Sequence, residues 1–148
     1  MLVRCLYASR MEKGHTDKML ANILASSRKN NPSFGVTGVL IAAGDCFIQV
    51  LEGGRAQVCS LYNHIARDAR HTDVTILDFE EIAQRNFESW SMGEVHLKQV
   101  NPAMLLKYSA TASIDPFSLS GVAMMALLND LVATGTVVCG NSTRGRRG

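Results

Sequence analysis

Four polar side chains pose the chemical question of this sequence: Tyr7 and Gln49 in apolar strand runs, and Ser27 and Asn31 where the apolar stripe of a helix continues into polar residues. Gln49 lies within residues 34–53, FGVTGVLIAAGDCFIQVLEG, a run otherwise fit for full burial. A buried amide without partners costs roughly 1–3 kcal/mol, so its two donors and its carbonyl acceptor must be occupied. Turning such an amide exchanges donor for acceptor, which neither a glutamate nor a leucine can do. Taken singly, each residue has an ordinary explanation: Tyr7 as a core aromatic, Ser27 as helix filler, Asn31 as a helix C-cap, Gln49 as a core amide bonded to backbone. Their joint spacing is harder to assign to chance, and it depends on the elements that carry them.

The stretch around Gln49 reads as two strands, Val36–Ala42 and Cys46–Leu51, joined by a tight turn at residues 43–45. Strand alternation puts Cys46, Ile48 and Val50 on one face and Phe47, Gln49 and Leu51 on the other. An earlier strand, Leu2–Ser9, carries Tyr7 on the face of Val3, Cys5 and Ser9. After a loop at Met11–His15, a helix starts near Thr16, read as its N-cap with Asp17 in the first turn. Its stripe is Leu20, Ile23 and Leu24, it carries Ser27, and Pro32 predicts its end at Asn31. Gly35 to Gly38 forms a GxxG without the lysine or length of a phosphate-binding loop, and reads as close backbone packing at a strand start.

A second helix, about Arg55–Ala69, presents Val58, Leu61, Tyr62, Ile65 and Ala69 on one face. A strand pattern returns at Val74–Ile82, and Arg85–Met92 leads into a last strand reaching Leu97. The order predicts an α+β fold, a ferredoxin-like βαββαββ mixed sheet with both helices on one face. A groove between two helices on a sheet suits a planar ligand. Beyond Val100, Pro102–Tyr108 reads as a short helix, and Asp115-Pro116 as the start of a longer one through about Thr134. The stripe Val122, Met125, Leu128 and Val132 is too apolar to face water, so that helix must pack on the sheet's free face, on another subunit, or on both. The expected organisation is a sheet domain over residues 1–97, a helical extension over 98–135, and a disordered basic tail over 136–148.

The 148 residues suit one domain plus an appendage, and 47% hydrophobic with 19% charged residues is ordinary globular composition. No apolar run is long enough to span a bilayer, and the N-terminus lacks a signal-peptide pattern, so neither membrane nor secretion is expected. The cysteines Cys5, Cys46, Cys59 and Cys139 form no CxxC pair, and the histidines have no HxxxH spacing. This predicts reduced thiols, a cytoplasmic location and no metal. The net charge of +2 owes everything to Arg144, Arg146 and Arg147; without them 12 basic residues face 13 acidic ones. The folded part therefore gives no footprint for nucleic acid.

The motifs LYAS at the start, SSRKNN, FGVTGVL, FIQVLEG, RDARH at a helix end and RNFESWSMG resemble, in order and spacing, the BLUF family of flavin-binding blue-light sensors. The likeness covers residues 2 to about 97 and, with LLKYS and the helical tail, is greatest to the short stand-alone members called PixD-type. It implies a bound FAD, with FMN as the alternative. It implies that Tyr7 gives an electron and a proton to the excited flavin, and that Gln49 bridges tyrosine and ring with hydrogen bonds that rearrange in light. It further implies that Asn31 bonds the ring with Asn30 beside it, and that Ser27 supports the tyrosine–glutamine network. Lys29, Arg70 and His71 match positions near the ribityl and phosphate groups. Trp90 and Met92 match a pair on the last strand whose packing near the glutamine relays the signal. The implied partners are a ring-like homo-oligomer and a separate, response-regulator-like protein, because no effector domain is expected in the chain.

Two other classes compete. One is a light-independent regulatory or interaction module of the same fold, which a colourless protein indifferent to FAD would favour. The other is an enzyme. An acylphosphatase-like hydrolase would need an arginine-bearing glycine loop after the first strand, and a flavin oxidoreductase would need a nicotinamide site; neither is read here, so the chain is expected not to be an enzyme.

Overall fold

The computed structural model describes residues 1–11 and 16–137. In chain order the elements are β1 (Leu2–Met11), α1 (Thr16–Phe34), β2 (Thr37–Ala43), β3 (Cys46–Gly54), α2 (Arg55–Arg67), β4 (His71–Ile82), β5 (Gly93–His96), a 3-10 turn at Leu97–Gln99, α3 (Pro102–Leu106) and α4 (Gly121–Ala133). The strands form one sheet in the order β4-β1-β3-β2-β5. All neighbours are antiparallel except β2 and β5, which run parallel. This is the mixed βαββαββ sheet that the strand and helix periodicities predict, with the C-terminal helices added.

The period-2 pattern of β1, β2 and β3 divides the interior into two cores. On one face Val3, Cys5, Tyr7, Leu40, Phe47 and Leu51 pack against Met19, Leu20 and Leu24 of α1 and Val58 of α2. On the other, Leu6, Val39, Ile41, Ile48 and Val50 pack against Met124, Leu127, Leu128 and Leu131 of α4. Of the predicted stripe of the C-terminal helix, Met125, Leu128 and Val132 are therefore covered by the chain's own sheet side, while Val122, in the first turn, stays exposed.

Several boundaries depart from the sequence reading. Helix α1 passes through Pro32 to Phe34 and ends where Gly35 takes a φ of +66°. Proline's steric effect falls in the last turn, where few backbone bonds remain to be lost, and the left-handed glycine closes the helix. Asn31 is thus inside the helix and not its cap. Helix α2 stops at Arg67, and β4 begins at His71.

The long C-terminal helix starts at Gly121, not at Asp115-Pro116. Ser120 is its N-cap, its Oγ accepting from the Ala123 amide at 3.1 Å. Asp115 instead closes a turn: its Oδ1 accepts from the Phe117 amide at 3.0 Å, and its carbonyl accepts from the Ser118 and Leu119 amides. Aspartate before proline satisfies either geometry. The buried Pro116 and the packing of Phe117 and Leu119 against the α4-side core favour the turn. Trp90 and Met92 precede β5 and do not lie within it. The predicted loop at residues 12–15 and most of the tail, residues 138–148, lie outside the described residues; Met11 closes β1.

One buried ion pair braces the segment that leads to β5. Arg4 and Glu52 face each other across the β1/β3 ladder, and the fully buried Glu52 carboxylate accepts from Arg4 Nε and Nη2 at 2.9 Å. The same carboxylate accepts from the backbone amides of Asn86 and Phe87 at 2.8–3.1 Å. A buried carboxylate persists only when its lone pairs are filled, and here they are filled by the start of the 86–92 segment.

Candidate functional site

The site is built on the β1/β3 ladder, where Tyr7 and Gln49 occupy paired positions. The Tyr7 hydroxyl donates to Gln49 Oε1, and Gln49 Nε2 donates to Met92 Sδ at 3.5 Å. Gln49 is 1% exposed, so this pair of bonds fixes which way its amide faces. Burial pushes the Tyr7 phenol well above its ordinary pKa, with Cys5 and Tyr62 adding to the effect. The proton therefore belongs to tyrosine in the resting arrangement. The Tyr62 ring stands edge-on to Tyr7, with centroids 5.6 Å apart.

Beside this pair a cavity of about 800 Å³ opens between α1 and α2. Tyr7, Leu40, Phe47 and Gln49 form its floor. Ile23, Ser26, Ser27, Asn30 and Asn31 line it from α1, and Ser60, Leu61, His64 and Ile65 from α2. Asp68, Arg70 and His71 close one end. Asn31 is buried, and its Nδ2 donates to the Ser91 carbonyl at 3.1 Å. Asn30 Nδ2 bonds Ser26 Oγ at 3.3 Å. Arg70 pairs with Asp68 at 2.6 Å, and that bond holds the Asp68 carboxyl down to about 2. His71 Nδ1 lies 3.0 Å from Ser9 Oγ, and burial depresses the imidazole's affinity for a second proton.

Tyr7, Ser27, Asn30, Asn31, Gln49, Arg70 and His71 thus share one cavity. Ser27 lines it without a hydrogen bond to Tyr7 or Gln49 among the described contacts. Lys29 is exposed and outside the lining. Met92 and Trp90 part company: Met92 is buried in the core below α1, while Trp90 packs in the α4-side core, stacked on Phe87 at 6.3 Å. Arg4 and Glu52 are absent from the sequence-based candidates. Their signal was available as two opposite charges in otherwise apolar strands.

The fold and the cavity define an α+β domain that takes a planar ligand between its two helices, against a phenol–amide pair. The family described as "Sensors of blue-light using FAD" (BLUF) matches residues 2–93, and the chain belongs to it. The photoactivated adenylate cyclase subunit beta of Euglena gracilis is 30% identical over 92 residues, covering 62% of this chain and 11% of the cyclase subunit. The chain thus spans about a tenth of that relative's length. The solved structure of BlsA in its photo-activated state superposes with a TM-score of 0.79 at 30% identity, over 89% of this chain and 95% of that one. The dark-state structure of BlrB, a BLUF protein, gives 0.75 at 30% identity, over 90% and 96%.

The residues present fit the family's FAD. The cavity lies within the roughly 300–1,000 Å³ common for cofactor sites. Gln49 and Asn31 supply primary amides, each both donor and acceptor, which match a ring bearing carbonyls beside nitrogens. Phe47, Leu40 and Ile23 supply apolar walls, and the polar end at Arg70 and His71 suits a ribityl and phosphate chain.

Proposed function

We propose that the chain senses blue light through Tyr7 and Gln49, with Tyr7 as electron and proton donor and Gln49 as the group whose hydrogen bonds change. Bound flavin supplies the blue-light absorption and, when excited, a strong pull on a nearby electron. Loss of an electron makes the Tyr7 phenol a strong acid, and its proton lies already on the bond to Gln49 Oε1. When the electron returns, the phenol regains a proton and Gln49 is left rotated or tautomerised. In the rotated form its Nε2 no longer faces Met92. Asn31 and Asn30 hold the ring, Ser27 supports the pair, and Arg70 and His71 hold the chain beyond it.

The observation that carries this reading is the buried run Tyr7 Oη–Gln49–Met92 Sδ along the floor of the cavity. The test is a lit-minus-dark absorption spectrum. Purified or FAD-reconstituted protein is expected to be yellow and to shift reversibly to the red under blue light. A flavin-loaded protein whose spectrum stays still overturns the assignment.

The output is a population shift, and a change from 1:99 to 99:1 takes about 5.5 kcal/mol. Trp90 and Met92 stand either side of Ser91, one in each core, which supports a route from the cavity to the layer of α4. We assign the receiver to a homo-oligomer interface or a separate, response-regulator-like protein in the cytoplasm. The free thiols of Cys5, Cys46 and Cys59 suit that compartment, and no helix among the described residues is long and apolar enough to cross a membrane. Size-exclusion chromatography in light and dark tests the oligomer; identical profiles leave partner binding as the route.

A further inference from the structure

The two carbonyls just before β5 are both held by side chains of α1. Asn31 Nδ2 donates to the Ser91 carbonyl at 3.1 Å, and Arg28 Nε donates to the Met92 carbonyl at 3.2 Å. Three positions apart on a helix, Arg28 and Asn31 reach the same side. Asn31 does so from the cavity wall. Arg28 does so from outside it, beside a separate hollow shared with Leu24, Glu94 and His96.

The rest of the Arg28 guanidinium is loosely held. Its Nη2 is buried without a hydrogen bond, and the nearest carboxylate oxygen, Glu94 Oε1, is 3.5 Å away. That is ion-pair range but long for a hydrogen bond. The firm attachment of this side chain is therefore the Met92 carbonyl. Met92 in turn offers the sulfur that receives Gln49 Nε2. Arg28 thus stands one residue removed from the photochemical amide, joined to it through the backbone and side chain of Met92.

We propose that Arg28 is a positioning residue for the light response: by tying the Met92 carbonyl to α1 it keeps the Met92 thioether against Gln49 and so sets how fast the turned amide returns. The inference rests on the assignment of Gln49 as the group that turns. Return to the dark arrangement requires Nε2 to find sulfur again. A Met92 held in place offers that partner at once; an untethered one offers it only part of the time.

The test compares dark recovery of the red-shifted spectrum in the FAD-loaded full chain for wild type, Arg28→Ala, Met92→Leu and the double variant. Arg28→Ala is expected to keep flavin and red shift but to recover about five-fold more slowly, the factor equivalent to one net hydrogen bond of about 1 kcal/mol. In the Met92→Leu background the same substitution is expected to change recovery by less than about 1.5-fold, because a residue that acts through Met92 shows coupling to it. If Arg28→Ala fails to hold flavin, Arg28→Lys, which keeps the charge without the planar donor, takes its place. Unchanged or faster recovery, or the same slowing in both backgrounds, overturns the proposal; the last result marks a purely structural tie. A wild type with no red shift overturns both this inference and the reading beneath it, whereas a shifting wild type with insensitive recovery overturns this one alone.

Discussion

The phenol of Tyr7 meets the amide of Gln49 across a strand ladder, at positions the register pairs directly. Cross-strand partners on one face lie about 4.5–5.5 Å apart at Cβ, so the contact is built into the backbone and does not depend on a mobile loop. Burial keeps the proton on tyrosine. The resting polarity of the pair is thereby set, with oxygen toward the phenol and nitrogen toward Met92.

Replacing either member should leave a folded, yellow and unresponsive protein. Gln49→Leu removes donor and acceptor together, and Tyr7→Phe removes the proton. Both are expected to retain flavin, since Asn31, Asn30 and the apolar walls remain, and to show no red shift in a lit-minus-dark spectrum. A normal shift in Gln49→Leu would refute its role.

The Arg4–Glu52 pair, which is not part of the cavity lining, predicts a large stability effect. Glu52→Ala leaves the buried Arg4 guanidinium with only the half-exposed Glu80 carboxylate, at 2.8 Å, and releases the amides of residues 86 and 87. Breaking a buried pair from one side costs about 3–5 kcal/mol. Urea denaturation should show a midpoint lowered accordingly, and Glu52→Gln should lose less, because it still accepts from the amides.

His71 makes stability depend on pH. Burial lowers its folded pKa below the ordinary 6.5, so the unfolded chain binds the proton more readily. The contribution is complete above about pH 6.5, declines as the pH falls below that value, and levels off once the folded imidazole is itself protonated. Thermal unfolding of wild type and His71→Gln across this range checks it: the variant's curve should be flatter on the acid side.

Helix α4 should be indispensable to the fold of the sheet domain. Leu128 is fully buried against the α4-side core, and leucine-to-alanine changes in such cores cost about 2–5 kcal/mol. Leu128→Ala should lower the unfolding free energy by that amount, read as a lower denaturation midpoint, while Val122→Ala, at 84% exposure, should leave the midpoint in place. A removal of α4 would bare the whole face, so light-dependent assembly is better probed by point changes than by truncation.

The strands and the two helices over the cavity were legible because their periodicities are strong and their faces unmixed. Tyr7 and Gln49 stood out as polar groups in apolar runs, and Asn31 by its place on the continuation of the helix's apolar stripe. Two features were not legible, for identifiable reasons. The Asp115-Pro116 pair satisfies a helix start and a turn equally well in local terms, and the buried Pro116 with packed Phe117 favours the turn. The separation of Trp90 from Met92 depends on a short β5 beginning only at Gly93, which no spacing rule announces. The helix of the expected 98–135 extension packs on the second face of the sheet, the first of the places its apolar stripe predicted.

That separation has a mechanical meaning. At Ser91 the chain crosses the plane of the sheet, with Met92 above it and Trp90 below, and the Trp90 carbonyl is pinned by the Gly38 amide at 3.1 Å. The three consecutive residues Trp90, Ser91 and Met92 thus span the distance from the amide's layer to the layer that α4 occupies.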